Sequence, residues 1–321
     1  MQNDAQTLDI LQTPCLLLDE ARLRANVDRM KAHLAGLGVG FRPHLKTAKS
    51  LDVARIAMTN PEGPAMVSTL REAEYFAEGG VRDMVYGVGI APGKLARVSA
   101  IRARGVDLAV ILDSIEQAEA VAAHVRDNGD RVPVLIEVDA DGHRSGISPD
   151  DGVTLVGIGQ CLAQGGAVLR GVLLHAGDSY SLNDPAALAA AAENERAAAV
   201  KAAESLGAAR LPCPVVSVGS TPTARFARDL TLAVSAPAAH CSHATALNGL
   251  VFASAVKRRP EAEMIAAGEE HQRAMVAIIA VRDFGDELRV VTYVEMLLAA
   301  IRGASSIGRV GPKFSGASTV A

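Results

Sequence analysis

The chain has 321 residues, enough for one large α/β barrel or two ordinary domains, and 49% of them are hydrophobic, so a sizeable core is assured. That apolar fraction is mostly Ala and Val, with no Trp, which suits close packing of helices on a sheet better than an aromatic binding surface. A net charge of -4 supplies no attraction to nucleic acid or to an anionic membrane, so neither is expected as a partner. From the N-terminus, residues 1–12 carry Asp4 and Asp9 without a long apolar run, which is not the pattern of a signal peptide. Apolar residues at helical spacing (Leu23, Val27, Met30, Leu34, Leu37) predict a helix over 20–37. Short apolar runs then predict strands at 39–44, 65–69, 83–87, 107–112, 133–138, 171–175 and 214–219. Helical segments separate them, the clearest at 114–128 and 184–206.

Seven successive βα units imply a parallel sheet with right-handed crossovers. An open dinucleotide-binding sheet demands a Gly-rich loop after its first strand. Here that strand runs into Arg42-Pro43-His44-Leu45-Lys46, which is no phosphate loop, so a (β/α)8 TIM-type barrel is expected. After Asp229 the alternation stops. Apolar runs at 249–256, 275–281 and 288–294 leave the strand type open, and the Gly- and Ser-rich end at 303–321 is expected to fray. Residues 230–256 lack formal charge, yet Pro237, His240, His243, Asn248 and several serines make them a poor membrane span. The four cysteines (Cys15, Cys161, Cys213, Cys241) show no C-x-x-C spacing and read as reduced thiols of a cytoplasmic protein.

In such a barrel the chemistry belongs at the C-terminal ends of the strands, and four clusters fall there. Lys46 follows strand one; a lysine stripped of solvent by the barrel wall becomes a neutral amine able to condense with a carbonyl group, whereas at the rim it is only a salt-bridge partner. After strand five, Glu137 to Gly146 includes Arg144, whose guanidinium never deprotonates and would keep a heteroaromatic nitrogen unprotonated; the same residues also read as a turn held by its own Asp side chains. His175, after strand six, is either an acid/base or ring-stacking group or a satisfied structural histidine. After strand seven, Gly219-Ser220-Thr221-Pro222-Thr223 is either an anion-binding loop or an ordinary turn. A lysine, an arginine and a phosphate cup around one mouth are what pyridoxal phosphate requires.

These blocks resemble the metal-dependent D-serine dehydratase and D-threonine aldolase family, which shares the alanine racemase N-terminal type of barrel. The likeness rests on Thr13-Pro14, Arg42 to Ser50, Val67 to Glu74, Asp141 to Gly146, His175 to Tyr180 and Gly219 to Thr223, in order over about two-thirds of the chain. It implies a pyridoxal-phosphate lyase acting on D-configured 3-hydroxy amino acids. Lys46 would bind the cofactor covalently, His44, Arg144, His175 and Tyr180 would line it, and Gly219, Ser220 and Thr221 would hold its phosphate. Lys49 is expected to be peripheral, and the family implies a homodimer and a divalent metal.

The likeness lapses beyond Asp229. The family continues into an eighth strand with a Gly-x-Tyr pattern and a β domain bearing a Pro-Asn-His-x-Cys or His-x-Asp metal motif, and neither stands in the expected place. Val291-Thr292-Tyr293-Val294 resembles that strand only loosely and comes too late. His240-Cys241-Ser242-His243 carries metal-competent side chains at another spacing, so the metal ligands stay unassigned. The expected organisation is a cofactor barrel over residues 1–230 and an atypical region over 231–321, a barrel closure or the remnant of a β domain. Because the chain ends before a full β domain is built, a frameshifted, rearranged or truncated C-terminal third is expected. The rival to a lyase is therefore a barrel that binds cofactor without turnover, with a racemase as a further alternative.

Overall fold

The computed structural model describes residues 18–230 and, as backbone, 240–246. In chain order the elements are α1 (Glu20–Gly36), β1 (Gly40–Pro43), α2 (Leu51–Ala57), β2 (Ala65–Val67), α3 (Leu70–Glu78), β3 (Asp83–Gly89), α4 (Leu95–Arg102), β4 (Asp107–Leu112), α5 (Ile115–Asn128), β5 (Pro133–Val138), α6 (Gly152–Gln164), β6 (Val168–Leu174), α7 (Pro185–Ala208), β7 (Val215–Val218), α8 (Thr221–Phe226) and β8 (His240–Ala246). All strand pairs are parallel, in the order β1-β8-β7-β6-β5-β4-β3-β2. At the two ends of that order, a parallel bridge joins His44 to Met66, and Leu45 N–H donates to Met66 O at 2.8 Å.

Polar residues placed at the strand-to-helix junctions explain why the loops are short. Thr69 and Glu72 form a reciprocal capping box at α3, Ser114 accepts from Gln117 N–H at α5, and Asp184 caps α7 ahead of Pro185. Each cap satisfies amide donors that would otherwise be orphaned at the helix start, and at α3 and α5 the chain turns directly from strand into helix, whereas residues 175–184 separate β6 from α7.

Side chains alternate along each strand, and the alternation sorts them into two cores. One face meets the helices: Ala65 and Val67, Met84 and Tyr86, Leu108, Val110 and Leu112, Val134 and Ile136, and Val216 and Val218 are buried there. The opposite face gathers Met66, Val85, Ala109, Ile111, Leu135 and Leu173, from five consecutive strands, with Val215 of β7 packed against them. Two residues further along the same face come His44, Ser68, Glu137, His175 and Ser217. The apolar plug therefore ends, and polar side chains begin, at the C-terminal ends of the strands.

The strands at 107–112 and 133–138 and the helix starting at 20 match the sequence expectation, and the other expected strands differ by a few residues at their ends. The sequence reading places no strand at His240–Ala246, which is a correction: this segment lies between β7 and β1 in parallel register. It is poor in β-branched residues and does not alternate, so pairing on both sides, not intrinsic propensity, puts it in the sheet. The side chains of 240–246, the apolar runs at 249–256, 275–281 and 288–294, the end at 303–321, and Cys15 lie outside what is described. No helix among the described residues is long and apolar enough to cross a membrane.

Candidate active site

Lys46 leaves the end of β1 half-buried. Burial, then the nearby Arg144 charge, lower its ammonium pKa, against an opposing pull from Glu72. Among the described residues neither Lys46 nor Arg144 makes an ion pair within 4 Å. His44 is buried, and its pKa is pushed well down by burial and then by Lys46 and His175. The ring is thus neutral at ordinary pH, and its contacts assign the tautomer. The backbone N–H of Lys46 donates to His44 Nδ1 at 3.1 Å, so the ring proton sits on Nε2, 3.2 Å from Ser68 Oγ.

His175 takes the other tautomer. Burial lowers its pKa to about 4, and its Nδ1 lies 3.1 Å from the carbonyl of Gly219, an acceptor only. The proton is therefore on Nδ1, and Nε2 keeps its lone pair. The Tyr180 ring is tilted against it at 6.1 Å between centroids, and the Tyr180 hydroxyl accepts from Thr221 N–H at 3.4 Å.

The loop after β5 is built around Asp139. Its Oδ1 accepts the N–H groups of Asp141 and Gly142, and its Oδ2 that of Arg144, each at 3.0 Å. The turn is thus tied by its own aspartate, one tie being to the backbone N–H of Arg144. Gly146 makes the return possible, with φ of +122° and room for no Cβ, which would lie 2.6 Å from Asp139 N. Arg144 then crosses the β6 loop at Gly177, where a Cβ would stand 2.3 Å from Arg144 Cδ. Glu137, two residues before Asp139, has its carboxyl pushed up to about 7, chiefly by burial and then by Asp113, with Arg144 pulling it down.

The β7 loop spends most of its donors internally. Gly219 N–H goes to Glu195 Oε1 at 3.0 Å and Ser220 N–H to Thr223 Oγ1 at 2.8 Å. Ser220 Oγ lies 2.6 Å from Ser179 Oγ and 2.9 Å from Thr223 Oγ1. Lys49, expected to be peripheral, pairs with the buried Glu72 at 3.5 Å, and Glu72 also accepts the Ser68 N–H at 2.8 Å.

The structure therefore brings Lys46, His44, Arg144, His175, Tyr180 and the 219–221 loop to one end of one sheet. Sequence reasoning missed Ser68 and Glu195 as parts of this end, and gave Glu137, inside the strand-five cluster, no role. For Glu195 there was a signal. It shares a face of α7 with Leu188, Ala192, Ala199, Ala202 and Leu206, all buried, and is the only charged residue on that face.

The parallel sheet places the chain in a known class. Residues 18–235 match the family described as alanine racemase, N-terminal domain, and the chain belongs to that family. Within it, the chain is 49% identical over 230 residues to D-threo-3-hydroxyaspartate dehydratase of Delftia sp. (strain HT23), covering 72% of this chain and 60% of that one. It is 27% identical over 236 residues to D-serine dehydratase of Dictyostelium discoideum, covering 69% and 59%. The solved structure of D-threo-3-hydroxyaspartate dehydratase from Delftia sp. HT23 matches with a TM-score of 0.71 at 42% identity, covering 83% of this chain and 66% of that chain. The resemblance drawn from the motifs stands, and the chain spans about 60% of the length of the first two relatives.

Proposed function

We propose that this chain is a pyridoxal-phosphate-dependent lyase acting on D-configured 3-hydroxy amino acids, of the D-threo-3-hydroxyaspartate or D-serine dehydratase type or the D-threonine aldolase type. The observation that carries the reading is Lys46: a half-buried amine, shifted toward its neutral form, without an ion-pair partner among the described residues, and at the end of β1 where this architecture does its chemistry. We further propose that the cofactor domain runs past the expected boundary at residue 230 to take in β8, with a separate region beyond it, and that the sheet closes as a full (β/α)8 barrel. The His44–Met66 bridge and the seven-residue inner plug support closure.

The donor set fits the cofactor. Lys46 Nζ would hold its aldehyde, Arg144 would face its ring nitrogen, and Tyr180, Ser220 and Thr221 would frame its phosphate beside Gly219. When bound, the cofactor supplies an electrophilic carbonyl conjugated to a pyridine ring that withdraws electrons from the substrate α-carbon. The chain supplies the proton chemistry. Lys46 Nζ, freed when the substrate amine takes its place and held toward the neutral amine, would take up the α-proton. His44 and His175, both neutral, add no positive charge that would compete for the substrate carboxylate, and Arg144 remains as the fixed cation. The family also implies a divalent metal assisting departure of the hydroxyl. No group of three or more His, Cys, Asp or Glu side chains that could hold a metal ion stands among the described residues, and no step is drawn through one.

Product analysis tests the proposal. Incubation with D-threo-3-hydroxyaspartate, D-serine and D-threonine distinguishes the reactions: keto acid plus ammonia marks a dehydratase, and glycine plus an aldehyde an aldolase. Exchange of enantiomers marks a racemase, and bound cofactor with no product marks a binding protein; either result would overturn the lyase reading. A homodimer belongs to the same proposal and is read from solution mass.

A further inference from the structure

Two loops that bear candidate cofactor groups, 175–181 after β6 and 218–223 after β7, lie side by side at this end of the sheet. Three contacts tie them together. His175 Nδ1 donates to Gly219 O, and Ser179 Oγ lies 2.6 Å from both Ala176 O and Ser220 Oγ. The third is a single carboxylate oxygen: Glu195 Oε1 accepts Ala176 N–H at 2.8 Å and Gly219 N–H at 3.0 Å. Glu195 is 2% exposed and sits in the middle of α7, and no ion pair to it is formed among the described residues. An unpaired buried carboxylate is costly and gains nothing from apolar packing, so its retention on an Ala/Leu face points to what it holds.

We propose that Glu195 is a positioning residue that sets the separation of the two phosphate-side loops and thereby the grip of this site on a phosphorylated cofactor. It touches no cofactor atom itself. It acts through the backbone of Ala176, next to His175, and of Gly219, next to Ser220. The need is for an oxygen at that reach, since one atom serves both amides. Burial pushes its carboxyl up to about 7, against hydrogen bonds from Thr223, Ala176 and Gly219, so charge is a cost and not the purpose. The consequence for cofactor binding rests on the pyridoxal-phosphate reading above, but the positioning itself does not.

The test is amide hydrogen exchange followed by mass spectrometry on wild type, Glu195→Ala, Glu195→Asp and Glu195→Gln, with and without pyridoxal phosphate, beside a cofactor titration. Leaving two buried amides without an acceptor is expected to cost Glu195→Ala about tenfold or more in protection across 175–181 and 218–223 together, and a similar factor in cofactor affinity. Glu195→Asp keeps the charge but falls short by one methylene, and is expected to lose as much. Glu195→Gln keeps the oxygen at full reach and is expected to stay within about threefold of wild type. Should Glu195→Ala fail to fold, the Asp and Gln pair decides. Equal behaviour of Asp and Gln, or exchange in the two loops that is unchanged in Asp, overturns the proposal. A wild type that never binds the cofactor overturns the enzymatic reading, while the exchange pattern still decides the role of Glu195.

Discussion

The two rims of the sheet are built from similar residues and differ in how the charges are spent. At the N-terminal rim three arginines are matched by aspartates. The buried Arg42 donates to Asp83 at 2.8 Å and to Ala65 O, Arg170 pairs with Asp107 at 2.6 Å, and Arg102 reaches Asp130 at 3.0 Å. At the C-terminal rim Lys46 and Arg144 have no such partner among the described residues, and Glu137 lies among two aspartates and an arginine with its carboxyl pushed up to about 7. Paired charges at one end stabilise; the uncompensated ones at the other are what a charged ligand would complete. Perturbed titration gathered at one rim is the mark of a site, and its scarcity at the other the mark of a scaffold.

Substitutions that separate the two rims give the largest effects. Lys46→Ala is expected to reduce lyase activity by about a thousandfold or more while leaving the thermal midpoint unchanged or slightly raised, since a half-buried amine costs solvation. Activity assays and calorimetry on the same preparations check both halves. Arg42→Ala is the opposite case: it removes the donor to the Ala65 carbonyl and leaves Asp83, 42% exposed, to water, and should cost about 1–3 kcal/mol by denaturant titration, with cofactor affinity intact. Loss of cofactor affinity in Arg42→Ala at temperatures where it stays folded would erase the distinction between the rims.

A middle-sized effect is expected at Gly177. Glycine there lets Arg144 cross the loop, so Gly177→Val should displace the guanidinium and weaken cofactor binding about tenfold, with less than about 2 kcal/mol lost in stability. A variant that binds as well as wild type would show that Arg144 does not need this path.

The smallest effects are in the pH dependence of stability. Glu137 holds its proton up to about 7 in the folded chain and releases it near 4.5 when unfolded, so stability falls as pH rises through that window. His175 does the reverse. Its pKa drops from 6.5 to about 4 on folding, so stability falls as pH drops from 6.5 to 4. Glu137→Gln should therefore gain on wild type by about 1–3 kcal/mol at pH 8 and little at pH 4, and His175→Asn should gain at pH 4 and little at pH 8. Denaturant midpoints across that range settle both, and parallel curves for wild type and variant would contradict the assignment.

How much of this was legible follows from the range of each interaction. Strands such as Asp107–Leu112 were readable because both faces are buried and the run is continuous. The Thr69 to Glu72 capping box spans only four residues, yet neither the cap nor its second duty, holding the Ser68 N–H and Lys49, was read from the sequence. Lys46, Arg144 and His175 stood out as candidates because each lies in the loop that follows a strand. Glu195 was harder: the apolar face of its helix marks a charge pointing inward, but its donors lie 19 and 24 residues away, so what it holds did not show. The strand at His240–Ala246 was hidden for a related reason, because neighbours on both sides impose it on a segment of weak propensity.

The central claim is that Lys46 is a cofactor-binding amine. The most direct measurement is the visible absorbance of the purified chain titrated with pyridoxal phosphate, beside Lys46→Ala, before and after addition of D-threo-3-hydroxyaspartate or D-serine. The account predicts a saturable band in wild type that is absent in Lys46→Ala and shifts when the D-amino acid is added. A band of equal strength in both proteins, or none in either, would contradict it.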